Sequence, residues 1–88
     1  MGILSGSGAS VSKLTRTVIK SVLVTASSGG NASILIYDGK DQSAEARLKV
    51  YALQSDTNQV NLNGLVFEQG VLIVPNSNVD FFLVEYGE

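Results

Sequence analysis

The chain has 88 residues, 44 % of them hydrophobic, with a formal net charge of −2 and neither cysteine nor histidine. This length allows one small domain, and the missing side chains exclude disulfides, thiolate metal sites and the usual general base near neutral pH. The weak charge excludes the basic stripe of a nucleic-acid-binding protein, and no apolar run is long enough to span a membrane.

The chain begins with a segment that is poor in apolar side chains. Gly, Ser and Ala fill eight of the eleven positions 2–12, and such a composition buries too little apolar surface to fold alone. We therefore predict a flexible N-terminal arm over residues 1–13, followed by a single domain over residues 14–88. Either the arm is a disordered terminus, or it orders on a partner with Ile3 and Leu4 as its apolar anchor.

Two strands are predicted in the first half of the domain. Residues 14–26 are rich in Thr and Val, whose branched side chains favour extended backbone. Alternation over part of this run places Val18, Val22 and Val24 on one face, and Ile19 and Leu23 on the other. The next strand, ASILIY at 32–37, is apolar on both faces. It is expected to be central in a sheet or covered by a partner.

Asp38 and Asp41 follow this strand closely and are the best candidates for a pair of functional carboxylates. Gly39 directly after the first Asp and Lys40 between the two acids do not fit a calcium-binding hand. A glycosidase pair needs two separated and differently buried carboxyl groups, which one polar loop does not provide. We interpret Asp38-Gly39 as a turn, and we expect no catalytic, metal-binding or cofactor-binding residue.

The run ARLKVYALQ at 46–54 alternates in the manner of a strand. The pattern places Leu48, Val50 and Ala52 inward and Arg47, Lys49 and Tyr51 outward. A helix over residues 42–54 remains an alternative, since Ala, Glu, Arg, Leu and Lys are good helix formers.

The second half of the chain contains further short strands separated by turn residues. Asn63-Gly64 either closes a tight hairpin or forms a bulge where one strand bends. VLIVP at 71–75 and VDFFLVEY at 79–86 are strands. Regularly recurring turn signals of this kind predict an all-β fold: a small antiparallel β-sandwich or barrel of six to seven strands.

Several strands carry more apolar surface than one thin sandwich covers. ILIY, VLIV and FFLV have large apolar side chains at successive positions, which point to opposite faces. An exposed apolar patch usually marks an interface, so one of Phe81 and Phe82 is expected to contact another chain.

Charge is also uneven along the chain. All six basic residues precede position 50, whereas five of the eight acids follow it. This unevenness indicates either a mixed surface or a subunit with one basic and one acidic flank.

Three segments together resemble a known group of proteins. They are I-Y-D-G at 36–39, the glycine-spaced stretch G-L-V-F-E-Q-G-V-L-I-V at 64–74, and V-D-F-F-L-V-E-Y at 79–86. The chain resembles small β-sandwich structural proteins of tailed bacteriophages. This resemblance implies a virion location and no enzymatic activity. It implies above all a capsid decoration (cement) protein that binds the major capsid protein in many copies and self-associates, as a trimer.

The expected partner contacts combine the apolar anchor of the arm, the basic residues on polar strand faces and the two adjacent phenylalanines: Ile3, Leu4, Arg16, Lys20, Arg47, Lys49, Phe81 and Phe82. No contact with nucleic acid or a membrane is expected. Two alternatives remain open. One is a ring subunit of a phage neck, tail or baseplate, and the other is a carbohydrate- or receptor-binding module that uses Tyr37, Tyr51 and an acidic loop.

Overall fold

The computed structural model of the protein describes residues 2–39 and 46–87, which form eight strands and no helix. The strands are β1 (Gly2–Gly6), β2 (Val11–Lys13), β3 (Thr17–Ala26), β4 (Ala32–Asp38), β5 (Leu48–Ala52), β6 (Thr57–Phe67), β7 (Val71–Pro75) and β8 (Val79–Gly87). The predicted all-β class is therefore confirmed, but the predicted number of six to seven strands is wrong. The alternative of a helix over 42–54 is wrong where it falls on β5, and residues 42–45 lie outside the described chain.

The strands form two antiparallel sheets of four. The first sheet has the order β1-β8-β3-β6, and the second sheet has the order β2-β7-β4-β5. Every neighbouring pair is antiparallel. Eight strands shared between two sheets in this order form a jelly roll. Among the described residues, no helix could cross a membrane.

The core lies between the two sheets and consists of aliphatic and aromatic side chains. These side chains alternate with outward-facing ones along each strand, so each sheet has one inner face. The largest fully buried side chains are Phe67, Phe82, Ile19, Ile34, Ile36, Ile73, Val22, Val24, Val50, Val71 and Val84. Burying one such side chain stabilises the fold by about 1.5–3 kcal/mol, and this burial holds the two sheets together as a sandwich.

A bulge in β3 corrects the predicted faces of that strand. Between Ile19 and Ser21, β3 has one residue more than the facing part of β8, so Lys20 is the extra residue. An extra residue shifts the alternation of side chains by one position. As a result Ile19 and Val22 are both buried, although strict alternation had placed them on opposite faces.

A second irregularity decides how Asn63-Gly64 is used. β6 continues through both residues, and its register against β3 shifts at this place. Gly64 has a φ of 88°, which glycine adopts without steric penalty. The bulge alternative is therefore confirmed, and the hairpin alternative is wrong.

The start of the chain differs from the flexible arm that its composition predicted. In the described residues 2–13, β1 pairs with β8 over its whole length, and β2 pairs with β7. Backbone hydrogen bonds hold such strands, so they form even where Gly and Ser supply little apolar surface to bury. Side-chain composition reflects how much apolar surface a segment can bury, and it does not reflect this pairing of the backbone.

Candidate interaction surfaces

The outer face of the first sheet carries a group of apolar side chains, and we call this surface face A. Residues directly opposite each other in a ladder lie on the same face. The ladders pair Leu23 with Leu83 and Val18 with Val66. The apolar side chains of face A are Ile3, Val18, Leu23, Val66, Phe81 and Leu83.

Face A exposes two of its largest apolar side chains to solvent. Ile3 is 58 % exposed and Phe81 is 41 % exposed. Small or uncharged polar side chains surround them, including Thr25 and Thr57, whose hydroxyl oxygens lie 3.0 Å apart. Within the described part of this face, charge is limited to Lys20, Glu85 and, near the start of β8, Asp80. Face A therefore combines a group of apolar side chains with uncharged polar ones, and it carries few charges.

We call the outer face of the second sheet face B. Half-buried aliphatic side chains cover its centre, where Leu35 lies between Val74 on β7 and Lys49 on β5. Tyr51, which is 59 % exposed, lies on the same face opposite Ser33. The exposed charge contributed by β5 to this face is the ammonium group of Lys49.

The structure separates the eight predicted contact residues into different environments. Ile3, Lys20 and Phe81 lie together on face A, whereas Lys49 lies on face B. The position of Lys20 follows from its Cε atom, which lies 2.9 Å from where a Cβ on Gly87 would point. Face A therefore unites three predicted residues that are far apart in sequence.

The other four predicted contact residues have partners within the chain. Phe82 is fully buried in the core, and Leu4 packs against the core from β1. Of the two adjacent phenylalanines, Phe81 is therefore the exposed one, as the alternation at this position implied.

The two remaining arginines are engaged on the surface. Arg16 forms an exposed ion pair with Glu68 at 3.5 Å, and pairs of this kind contribute between about 0 and 1 kcal/mol. The guanidinium carbon of Arg47 lies 5.6 Å from the centroid of the Phe67 ring, so Arg47 covers an end of the core.

Sequence reasoning missed the leucines of both outer faces. Leu23 and Leu83 form the centre of face A, and Leu35 and Leu72 belong to face B. The period of two indicated that successive apolar residues face opposite ways, but it did not show which strands lie side by side. That information depends on the order of strands in each sheet.

Neither the pair Asp38 and Asp41 nor the pair Tyr37 and Tyr51 forms a site in the described residues. The Oδ1 atom of Asp38 accepts a hydrogen bond from the backbone N–H of Gln69 at 3.0 Å, which fixes a turn, and Asp41 lies outside the described residues. Tyr37 is only 8 % exposed. Tyr51 lies opposite Ser33, and Ser33 is four residues from Tyr37 along β4, which corresponds to ~13 Å. The two tyrosines do not form one stacking surface. Across residues 2–39 and 46–87 there is no pocket and no cluster of three or more acidic side chains.

A network of amide groups connects the turns at one end of the sandwich. The side-chain amides of Asn76 and Asn78 each donate a hydrogen bond to the carbonyl oxygen of Asn31 at 3.2 Å. The backbone N–H of Gln54 donates to the Oδ1 atom of Asn31 at 2.9 Å, and the side-chain amide of Gln54 donates to the carbonyl oxygen of Ser28 at 2.7 Å. Three turns that are distant in sequence are thereby held together.

Replacing Asn76 with alanine is expected to lower the free energy of unfolding by about 1–2 kcal/mol, because two hydrogen bonds are lost. One is donated to Asn31, and the other is accepted from the backbone N–H of Asn78 at 3.0 Å. Urea denaturation followed by circular dichroism measures the change. Ser77→Ala is the matched control, since Ser77 is exposed in the same turn. Equal stability of the two variants contradicts the structural role of the network.

Comparison with known proteins gives information on the fold. No protein-family model matches the sequence, and no curated protein matches it. Among solved structures, the chain is similar to one described as the crystal structure of PirA, with a TM-score of 0.51 and 13 % sequence identity. The similarity covers 98 % of this chain and 92 % of that chain. At this identity the similarity concerns the fold alone.

Proposed function

We propose that the protein is a non-enzymatic structural subunit of a virion, specifically a capsid decoration protein that binds the major capsid shell in many copies. Face A is the observation that carries this proposal. Its apolar side chains lie on the side of the sheet that faces away from the core, so they do not contribute to the interior of this chain. An apolar patch in that position is suited to contact with another protein.

The composition of face A is that of an interface centre. Such centres are depleted in charge and enriched in aromatic residues. Phe81 lies beside Leu83 and Leu23, and the charges of Lys20 and Glu85 lie next to this apolar group. Lys20 and Glu85 have opposite signs, so a partner with complementary charges can fix the orientation of binding.

The size of the broad faces also fits a stable contact. The Cα atoms span 34 × 26 × 17 Å. A face with the two longer dimensions is close to the ~800 Å² that each partner contributes to a standard interface. One such contact has modest affinity, and many equivalent sites on a shell give many bound copies.

Two analogies support the virion location. The segments at 36–39, 64–74 and 79–86 resemble small β-sandwich structural proteins of tailed phages. The jelly-roll order of the strands occurs in viral capsid domains and also in lectins. Both analogies concern architecture, so the proposal depends on face A and on the experiments below.

The copy number of the protein in purified particles tests the proposal. Particles from the phage that encodes the chain are separated into shells and tails, and the protein is quantified against the major capsid protein. A copy number close to that of the shell subunits supports decoration. A few copies that stay with the tail support the neck, tail or baseplate alternative, and absence from all particles contradicts both.

Replacing Phe81 with alanine is expected to weaken binding to the shell at least about tenfold, because truncating an aromatic anchor at an interface costs more than about 1–2 kcal/mol. Titration of undecorated shells with labelled protein measures the affinity. Tyr51→Ala on face B is the matched control, since Tyr51 is also an exposed aromatic residue on the outer face of a sheet. Stronger loss with Tyr51→Ala assigns the contact to face B and overturns the role of face A.

A further inference from the structure

β1 is attached to the molecule through a single neighbouring strand. It lies at the edge of the first sheet, and among the strands that the structure describes it pairs with β8 alone, from Gly2 opposite Tyr86 to Gly6 opposite Phe82. Of its side chains, Leu4 packs against the core, whereas Ile3 is mostly exposed. β1 is therefore held mainly by its backbone ladder and by one half-buried leucine, and it belongs to the part of the fold that opens at low free energy.

The segment that follows β1 has the properties of a hinge. Residues 7–10, Ser-Gly-Ala-Ser, are all exposed and connect the first sheet to the second. A Cβ atom placed on Gly8 would meet nothing within 4 Å. Since residues 7–10 are exposed, this segment can change direction at little cost, and exchange of an element over such a hinge is a low-cost route to an oligomer.

The side of β8 that receives β1 is selective for the sequence of β1. A Cβ atom on Gly2 would collide with the ring of Tyr86, and one on Gly6 would lie 3.0 Å from the Cζ atom of Phe82. The two rings thus form a slot that accepts a strand with glycine at two positions four residues apart. Between these glycines the strand has an apolar side chain, which is Leu4 in β1. Gly2 and Gly6 are the only glycines with this spacing in the whole sequence.

We propose that copies of this protein exchange β1, so that β1 of one copy fills the slot beside β8 of a second copy. The hydrogen bonds and the packing of Leu4 are the same in the closed and the exchanged arrangement. The equilibrium between the closed and the exchanged arrangement therefore depends on two concentrations. They are the concentration of the protein in solution and the effective concentration of β1 at the slot of its own chain. This inference concerns self-association and does not depend on binding to a shell.

The length of the hinge limits the geometry of the assembly. Five Cα steps lead from Gly6 to Val11, which gives a reach of ~17 Å. The body of the donor must therefore lie directly beside that of the acceptor. Protein at high local concentration, as in a crowded lattice of identical copies, favours the exchanged arrangement.

Thiol cross-linking between separately purified variants tests the exchange, because the natural chain has no cysteine. Ile3 and Glu85 are opposite each other across β1 and β8 on face A. An Ile3→Cys chain carrying a mass tag is mixed with an untagged Glu85→Cys chain, passed briefly through mild urea, and then oxidised or treated with a short bismaleimide. The cysteines meet in one ladder only if β1 of the tagged chain lies on β8 of the untagged one.

The expected result is a covalent product of mixed mass in at least about tenfold excess over the control, because neighbouring thiols have millimolar effective concentrations. The control pairs Ile3→Cys with Lys49→Cys, whose cysteine lies exposed on the other sheet. A second mixture, Ser5→Cys with Leu83→Cys, samples another opposite pair of the same ladder. Mixed product at the level of the control in both mixtures overturns the proposal.

Discussion

Replacing Gly70 with alanine is expected to destabilise the protein by about 3 kcal/mol or more and to leave much of it unfolded. Gly70 is buried and has a φ of 112°, a backbone conformation that other residues adopt only with strain. A Cβ atom at this position would collide with the carbonyl oxygen of Lys13 and lie 2.9 Å from the Cα atom of Leu14. These are backbone atoms, so no rotation of a side chain relieves the collision.

Urea denaturation and the circular dichroism of the folded chain measure this effect. Gly8→Ala is the matched control, because its Cβ atom points into open space, and it is expected to change the free energy of unfolding by less than about 0.5 kcal/mol. If Gly70→Ala folds with a stability similar to Gly8→Ala, then the close contact between the start of β7 and the segment after β2 is wrong.

Phe82→Ala is expected to lower the free energy of unfolding by about 3–5 kcal/mol, as truncation of a buried phenylalanine usually does. Phe82 is fully buried between the sheets, and its ring also lies against the position of Gly6 in the edge strand. Truncation therefore opens a cavity in the core and removes one wall of the slot for β1. Small domains have a total stability of about 5–15 kcal/mol, so this single change removes a large part of it.

The adjacent residue supplies the comparison. Phe81→Ala removes an equally large side chain that lies on face A, and we expect a smaller loss of about 1–2 kcal/mol, since 41 % of Phe81 is already exposed and less buried area is lost. Chemical denaturation of both variants under the same conditions gives the difference. Equal losses contradict the assignment of the two rings to opposite sides of β8. Together with the shell titration, the pair separates a residue that holds the fold from one that contacts a partner.

Much of the strand content could be predicted from the sequence. β4, β5, β7 and β8 lie within a few residues of the predicted segments, because branched and aromatic residues between turn residues favour extended backbone at each of these places. The inward positions Leu48, Val50 and Ala52 were also predicted correctly. In these strands local alternation is unbroken, so the period of two is enough to identify the buried face.

The remaining features depend on contacts between distant parts of the chain. β1 is a strand because β8, which is 76 to 84 residues away in sequence, lies beside it, and its Gly- and Ser-rich composition does not predict an extended strand. The bulge at Lys20 is likewise visible only against the register of β8. Single exposed residues could be predicted from the alternation within a strand. That these residues lie on one surface could not be predicted, because face A takes its side chains from four strands.

The pairing of β1 with β8 also brings the two ends of the fold together. Gly2 lies directly opposite Tyr86 in an antiparallel ladder, so a short turn can join the two strands into a hairpin. In a circular permutant, the chain would begin in the hinge at residues 7–10 and would end with residues 2–6, which such a turn joins to the end of β8. Every strand of this permutant keeps its present position. The permutation also ties β1 covalently to its own slot, because β1 then follows β8 directly in the chain.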